Sequence, residues 1–89
     1  MRAVITVIGH DDVGIIAGLS DRLGRHKVNI LEITQSVLSE FFAMIMLVDL
    51  ARCDIEFGEL VGELSAKGKE LGVDVHTMHE DIFNSMHRI

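Results

Sequence analysis

The sequence has no proline, no tryptophan and no tyrosine, and it has a single cysteine, Cys53, among its 89 residues. A lone cysteine excludes both an intrachain disulfide and a metal cage built from cysteines. With four phenylalanines as the only aromatic side chains besides histidine, there is no aromatic platform for stacking nucleic-acid bases. No apolar run reaches about 18 residues and no basic-then-apolar leader opens the chain. We therefore expect a cytoplasmic protein without a membrane span or signal peptide.

The charge balance is acidic, with a formal net charge of −6 when histidine is neutral. The basic residues are dispersed apart from a small cluster between Arg22 and Lys27, which suits the C-terminal end of a helix. An acidic chain without a basic stripe is poorly suited to bind nucleic acid, whose phosphates it would repel. With 89 residues the chain has room for one domain, and so small a core indicates that oligomerisation would add stability.

Four segments have the patterns of β-strands. Residues 2–9 and 41–50 are apolar on both faces, apart from Asp49, which predicts strands covered on both sides. Residues 28–38 and 73–79 alternate between apolar and polar side chains, which is typical of half-exposed edge strands. The short Ser39-Glu40 connection makes the second and third strands an antiparallel hairpin.

Three segments have helical spacing of their apolar residues. The first stripe consists of Ile15, Ile16, Leu19 and Leu23; the second of Phe57, Leu60, Val61, Leu64 and Leu71; the third of Ile82, Phe83, Met86 and Ile89. Asp11 or Asp12 is placed to cap the first helix and Asp54 the second, and Gly72 is placed to end the second. The third stripe predicts a short C-terminal helix that needs a surface to cover.

The element order β-α-β-β-α-β predicts an α+β fold, a ferredoxin-like sandwich with a four-stranded antiparallel sheet and two helices on one face. In that topology the first and third strands are central and the other two are edges. We expect residues 1–80 to form the domain and residues 81–89 to form a helical tail. The central strands are apolar on both faces, whereas the helices cover only one. The open face, made either by the Ala43, Ile45 and Leu47 set or by the Phe42, Met44 and Met46 set, therefore needs cover. The tail or a second subunit can provide it, and we predict a homodimer.

One loop and one strand start carry a family pattern. An apolar strand runs into Gly9-His10-Asp11-Asp12-Val13-Gly14-Ile15-Ile16, then a helix, then Val28-Asn29-Ile30. This arrangement resembles the ACT domain over essentially the whole chain, with Asp11, Gly14 and Ile15 matching its turn and Asn29 and Ile30 matching its second strand. It is most similar to short, free-standing single-ACT-domain proteins, which end in a segment like residues 82–89. The resemblance implies a regulatory protein that binds an amino acid or a related metabolite and signals through contact with another protein.

The resemblance also implies a site between the first-strand loop and the start of the second strand. The residues that it assigns to ligand binding are His10, Asp11, Asp12, Val13, Gly14, Ile15, Asn29 and Ile30. A helix N-terminus suits a carboxylate, Asn29 offers a donor and an acceptor, and Asp11 suits an ammonium group. The same residues have structural interpretations, since the aspartates can simply cap the helix and Asn29 can close a turn. Val13 departs from the many amino-acid-binding members that carry proline before this glycine.

The sequence gives weaker support to other kinds of site. His10 and His79 could bind a metal beside Glu80 or Asp81, although exposed or hydrogen-bonded histidines are the favoured interpretation of the five histidines. No nucleophile motif appears, and the loop between Gly9 and Gly14 lacks the lysine of a phosphate-binding loop. We therefore expect no enzymatic activity and no cofactor. The alternative function is a ligand-free scaffold that uses the fold to dimerise and dock.

Overall fold

The computed structural model of the chain describes residues 1–10 and 13–86. Along the chain it contains β1 Arg2–His10, α1 Ile15–Arg25, β2 Asn29–Leu38, β3 Phe41–Asp49, α2 Phe57–Leu71, β4 Val73–His79 and α3 Glu80–Met86. The predicted β-α-β-β-α-β order with a short C-terminal helix is therefore confirmed. Within the described ranges, no helix combines the length and the apolar content that a membrane crossing requires.

The four strands form one sheet in the order β2-β3-β1-β4, and every neighbouring pair is antiparallel. The central strands are β1 and β3 and the edges are β2 and β4, as their sequence patterns predicted. The strand β2 runs parallel to β1, because both are antiparallel to the β3 strand between them. A bulge interrupts the β2–β3 register between Ile30 and Glu32, with Leu31 as the extra residue.

The hydrophobic core lies between the two long helices and the inner face of the sheet. Its most deeply buried side chains are Ile5 and Val7 of β1, Met44, Met46 and Val48 of β3, Ile15, Leu19 and Leu23 of α1, and Leu60 and Leu64 of α2. Full burial of one such side chain contributes about 1.5–3 kcal/mol to stability. Of the two possible open faces, the structure selects the one that carries Ala43 and Ile45, both of which are exposed.

The C-terminal helix α3 covers only one end of that open face. It contacts β1 and β4, where an ion pair joins Arg2 to Glu80 and where Val4 of the open face is buried. Farther along β1, Ile8 is 56% exposed, and Ile82 of α3 itself is equally exposed. The cover by the described part of the tail is therefore partial, and among the described residues Ile8, Ala43 and Ile45 of the open face remain exposed.

The start of α1 depends on a glycine. Gly14 occupies the N-cap position with a φ of 90°, in the left-handed region that glycine tolerates, and its carbonyl accepts a 2.8 Å hydrogen bond from the Gly18 N–H. The predicted capping residues Asp11 and Asp12 lie outside the described residues, so their role stays a prediction.

The start of α2 differs from the prediction. The N-cap is Glu56, whose backbone is extended and whose side chain makes no capping bond. The prediction that Asp54 caps this helix is wrong, because its carboxylate is instead 2.8 Å from the ring of His26. The predicted end at Gly72 is confirmed, with a φ of 77° and a backbone N–H bond to the Lys69 carbonyl.

A second glycine lets α2 lie directly on β4. A Cβ at Gly68 would be 2.6 Å from Val75 Cγ2 and 2.9 Å from the Val73 carbonyl oxygen. We expect Gly68→Ala to lower the free energy of unfolding by about 1–3 kcal/mol, because the helix must move off the strand. A Cβ at Gly62 on the same helix would have no atom within 4 Å, so Gly62→Ala should raise stability by about 1 kcal/mol. Urea denaturation measures both changes, and effects of the same sign would contradict this account.

Candidate functional site

The predicted ligand-binding residues that the structure describes fall at two opposite ends of the sheet, and Asp11 and Asp12 lie outside the described residues. Asn29, at the start of β2, pairs with Asp49, which in turn pairs with Arg2 at the start of β1. His10 ends β1 and pairs with Phe41. Eight residues of strand therefore separate the two ends, a distance of about 26 Å at about 3.3 Å per residue. The structure does not bring the loop and the strand start together within one chain.

At the end that carries the β1–α1 loop, the described residues have different surroundings. Val13 is 95% exposed and Gly14 is also exposed, whereas Ile15 is only 2% exposed and belongs to the core. The buried Ile15 side chain anchors the helix and is not available to a ligand. His10 is exposed, and its ring lies 5.1 Å from the ring of Phe41.

The weaker metal hypothesis does not fit the geometry of a single chain. His79 pairs with Ala3 at the start of β1, seven residues from His10. At the rise of a β-strand this is a separation of about 23 Å, far beyond the reach of one ion. In the described parts of the chain, no group of three or more histidine, cysteine or acidic side chains is placed to hold a metal.

The other end of the sheet opens into a cavity of about 550 Å³. Its lining residues come from the turn after α1, the start of β2, the end of β3 and the loop that follows β3. They are Lys27, Val28, Asn29, Asp49, Ala51 and Arg52. Of the predicted site residues that the structure describes, only Asn29 lines this cavity, while Ile30 packs against the core. Among the other lining residues, the sequence singles out only Asp49, because it is the single polar residue in an otherwise apolar strand.

Charges of both signs line this cavity. The Asp49 carboxylate accepts a 2.9 Å hydrogen bond from the Ala51 N–H, which fixes its position. Within the described residues, neither Lys27 nor Arg52 lies at ion-pair distance from a carboxylate. Two cations, one carboxylate and the Asn29 amide can together bind a small molecule that carries both a carboxylate and an ammonium group.

The turn after α1 brings Lys27 to the cavity. Lys27 has a φ of 59°, and its N–H bonds to the Gly24 carbonyl while the Val28 N–H bonds to the Leu23 carbonyl. These bonds close the end of the helix and reverse the chain into β2. A left-handed backbone is unfavourable for lysine, so the conformation of Lys27 lowers local stability.

The residue next to Lys27 joins the end of α1 to the loop before α2 and to α2 itself. His26 Nδ1 is 2.8 Å from Asp54 Oδ1, and His26 Nε2 is 2.7 Å from Glu63 Oε2. The Asp54 N–H also donates to the His26 carbonyl at 3.2 Å. An imidazole that faces a carboxylate at each nitrogen donates to both only when it is protonated.

The two carboxylates change the titration of the histidine. The hydrogen bonds that His26 donates to Asp54 and then to Glu63 raise the pKa of His26 above its ordinary value of 6.5. In return, the hydrogen bond to His26 lowers the pKa of Glu63 below its ordinary value of 4.5, with a smaller contribution from Arg22, whose guanidinium is 3.3 Å away. The group therefore favours a charged histidine between charged carboxylates.

Comparison with known proteins identifies the family. A family model described as an ACT domain matches residues 2–78. The chain belongs to the ACT domain family. The UPF0237 protein of Methanopyrus kandleri is 53% identical over 88 residues, which are 99% of this chain and 98% of that protein. A UPF0237 protein of Clostridium acetobutylicum is 52% identical over 89 residues, the full length of both. The predicted likeness to short single-ACT-domain proteins is thus confirmed.

Solved structures agree with this assignment. An ACT domain protein from Streptococcus pneumoniae superimposes with a TM-score of 0.81 at 37% identity, covering 98% of each chain. A formyltetrahydrofolate deformylase from Pseudomonas putida gives a TM-score of 0.79 at 11% identity and matches 91% of this ACT domain but 29% of its own length. The second likeness shows the fold alone.

The histidine bridge of this ACT domain predicts a defined pH dependence. The raised pKa of His26 means that its contribution to stability is full below about pH 6.5 and is lost as pH rises through the folded-state pKa. The lowered pKa of Glu63 means that its contribution is full above about pH 4.5 and is lost as pH falls through its own folded-state value. We expect His26→Gln to lower the melting temperature clearly near pH 6 and much less near pH 9.

His76→Gln is the matched control for that measurement, because His76 is exposed on β4 and makes no ion pair with any described residue. Thermal unfolding followed by circular dichroism across this pH range compares the variants. An effect of His26→Gln that is the same at pH 6 and pH 9 would contradict a charged bridge.

Proposed function

We propose that this ACT domain is a regulatory module that binds an amino acid or a similar small zwitterion and passes the binding event to another protein by contact. The proposal assigns no catalytic activity and places the protein in the cytoplasm. The observation that carries it is the cavity at the start of β2, where the amide of Asn29 lies beside charged side chains of both signs. Domains of this family commonly bind small ligands and dimerise.

The chemistry of the cavity suits a free amino acid. Lys27 and Arg52, which have no carboxylate partner in the described residues, would bind the ligand α-carboxylate. Asp49 would bind the α-ammonium group, and Asn29 would donate to or accept from either. The volume of about 550 Å³ lies within the range of small-molecule sites, which leaves room for a side chain.

A second copy would complete the site. The helices leave the inner face of β2 bare, so that Ile33 is 44% exposed and Val37 is 52% exposed. We propose that two copies pair antiparallel along β2 and cover these side chains. In such a pair the start of one β2 lies beside the end of the other, at the end of the sheet where β1 ends at His10. His10, Val13 and Gly14 of one copy would then lie on the same side of the interface as Asn29 of the other, although one chain separates them.

We also propose that the chain is divided as its sequence predicts. Residues 1–80 would form the ACT unit, and residues 81–89 would form a helical tail that packs on the domain or on the partner. The exposed Met86 of α3, with 69% of its surface accessible, supplies apolar area for such a contact.

The second candidate is a ligand-free scaffold that dimerises and docks. The exposed apolar side chains of β2 favour it, because a dimer would cover them whether or not a ligand is present. Val13 in place of the proline found in many amino-acid-binding members favours it as well. The two candidates differ in one measurable respect, the response of stability to amino acids.

A thermal-shift panel of the twenty amino acids tests the sensor. A ligand at about 100 times its Kd stabilises a protein by about 2.7 kcal/mol, which raises Tm by roughly 10–20 °C in a domain of this size. We expect one or a few amino acids to raise Tm, and we expect Asn29→Ala or Arg52→Ala to abolish the rise.

Asn84→Ala is the matched control, since Asn84 is exposed on α3 at a different part of the molecule. It should keep the full response. A flat panel with the unchanged protein would favour the scaffold over the sensor.

Analytical ultracentrifugation tests the proposed pairing along β2. We expect a dimer at micromolar concentration that Val37→Lys dissociates, because the change places a charge in the apolar contact. Ile8→Lys, at an equally exposed position on the open face, should leave the dimer intact. A stable monomer, or dissociation by Ile8→Lys alone, would rule out this interface.

A further inference from the structure

A second groove lies on the far side of the molecule, between α2 and the outer edge of β4. It has a volume of about 310 Å³ and follows residues 73–78 along nearly the whole strand. The helix contributes Val61, Ser65 and Lys69, which are spaced four residues apart and therefore share one face of α2. A helix and a strand edge thus form the two walls of an elongated channel.

One wall of this groove is an unpaired strand edge. Among the described residues β4 pairs only with β1, so the outward N–H and C=O groups of β4 have no strand partner. The β1–β4 register runs without a shift from Ala3 opposite His79 to Gly9 opposite Val73. Neither proline nor lysine occurs in β4, and no bulge distorts it, so it lacks the usual protection of an edge. The other edge, β2, carries the bulge at Leu31.

The side chains along the groove provide both apolar surface and an unused polar group. Val73 and Val75 are 6% and 8% exposed and form an apolar floor. Thr77 Oγ1 is buried and has no hydrogen-bond partner in the described parts of the chain. A buried hydroxyl without a partner is unfavourable, and an incoming polar group would relieve this cost.

The charge of the groove is also distinctive. Seven of the eight lysine and arginine side chains lie in the described residues, and four of them form ion pairs with carboxylates: Arg2, Arg22, Arg25 and Lys67. Of the three that do not, Lys27 and Arg52 line the cavity at the start of β2 and Lys69 lines this groove. Asp74 also lines the groove, but it pairs with Ile8, so its side chain lies on the open face of the sheet, away from α2. Lys69 is therefore the charged side chain on the helix side of the groove, where it suits an acidic group.

We propose that this groove binds an extended segment of a partner protein, which adds to the sheet as a fifth strand beside β4. Backbone hydrogen bonds to the free edge would hold the segment, and its apolar side chains would pack against Val61 and Val75. An acidic side chain of the segment would pair with Lys69. The proposal deepens the proposed function, since it identifies where the regulated partner docks, but it does not require the amino acid site.

A second copy of the chain is the less suitable occupant. If two copies pair along β2, a further pairing along β4 would extend the sheet at both ends and build an open filament. A segment of different sequence ends the sheet after one strand.

Selection from a phage-displayed library of random ten-residue peptides tests the proposal. Peptides selected on the unchanged protein should alternate apolar and polar residues, carry an acidic residue, and bind as synthetic peptides with micromolar Kd. Ser65→Arg, which fills the groove, should weaken their binding at least tenfold. Ala17→Arg, at an exposed position of α1, is the matched control and should bind like the unchanged protein.

A charge-reversal selection gives an independent readout. Peptides selected on Lys69→Glu should carry a basic residue where the first set carries an acidic one. This swap does not depend on Ser65→Arg, so it tests the groove even if that variant fails to fold, which circular dichroism reports. Peptides whose NMR chemical-shift changes map to β2, or that bind Ser65→Arg equally well, would overturn the proposal.

Two further outcomes would also overturn it. One is the absence of enrichment on the unchanged protein over Ser65→Arg. The other is a change of oligomeric state caused by Ser65→Arg, which would make a second copy the occupant. Peptide binding together with a flat amino acid panel would uphold the groove and reject the sensor, so failures of the two proposals are distinguishable.

Discussion

The packing of two helices against one face of the sheet is the constraint on which the rest of the structure depends. Leu19 and Leu23 of α1 and Leu60 and Leu64 of α2 cover the inner faces of the two central strands. Two helices are wide enough to cover part of a four-stranded sheet, and here they leave the inner face of β2 and most of the open face bare. Each surface to which we assign binding lies at the border of this covered area.

The distribution of charge follows from the same arrangement. The core contains no buried charged side chain among the described residues, so ionic contacts are confined to the surface, where most isolated pairs contribute little to stability. The bridge at His26 differs because one ring contacts two carboxylates on separate segments. It joins the end of α1 to the loop before α2 and to α2 itself, and these are the elements that position the cavity beside Asn29.

The sequence predicted the fold well for a physical reason. Burial on both faces leaves a different pattern from burial on one face, so residues 2–9 and 41–50 could be recognised as central strands. Helix ends were less predictable, because several polar residues precede α2 and only tertiary contacts decide between them. Asp54 has a side chain that commonly caps helices, yet its carboxylate is hydrogen-bonded to the ring of His26, 28 residues earlier in the chain.

The candidate site was predicted in part. Asn29 was found because it matches a family pattern, whereas Lys27 and Arg52 converge only through the turn after α1 and the loop after β3, which no local pattern reveals. The separation of His10 from Asn29 was implicit in the predicted topology. A crossover through one helix makes the first and second strands parallel, so the end of one and the start of the other lie at opposite ends of the sheet.

This separation has a consequence for the evolutionary record of the family. His10 and Asn29 are too far apart in one chain to constrain each other directly. If substitutions at these positions are correlated across relatives, the correlation reports a contact between chains. A map of coevolving pairs would then contain signals that a single copy of the fold cannot satisfy, and those signals would record the assembly in which the protein has been selected.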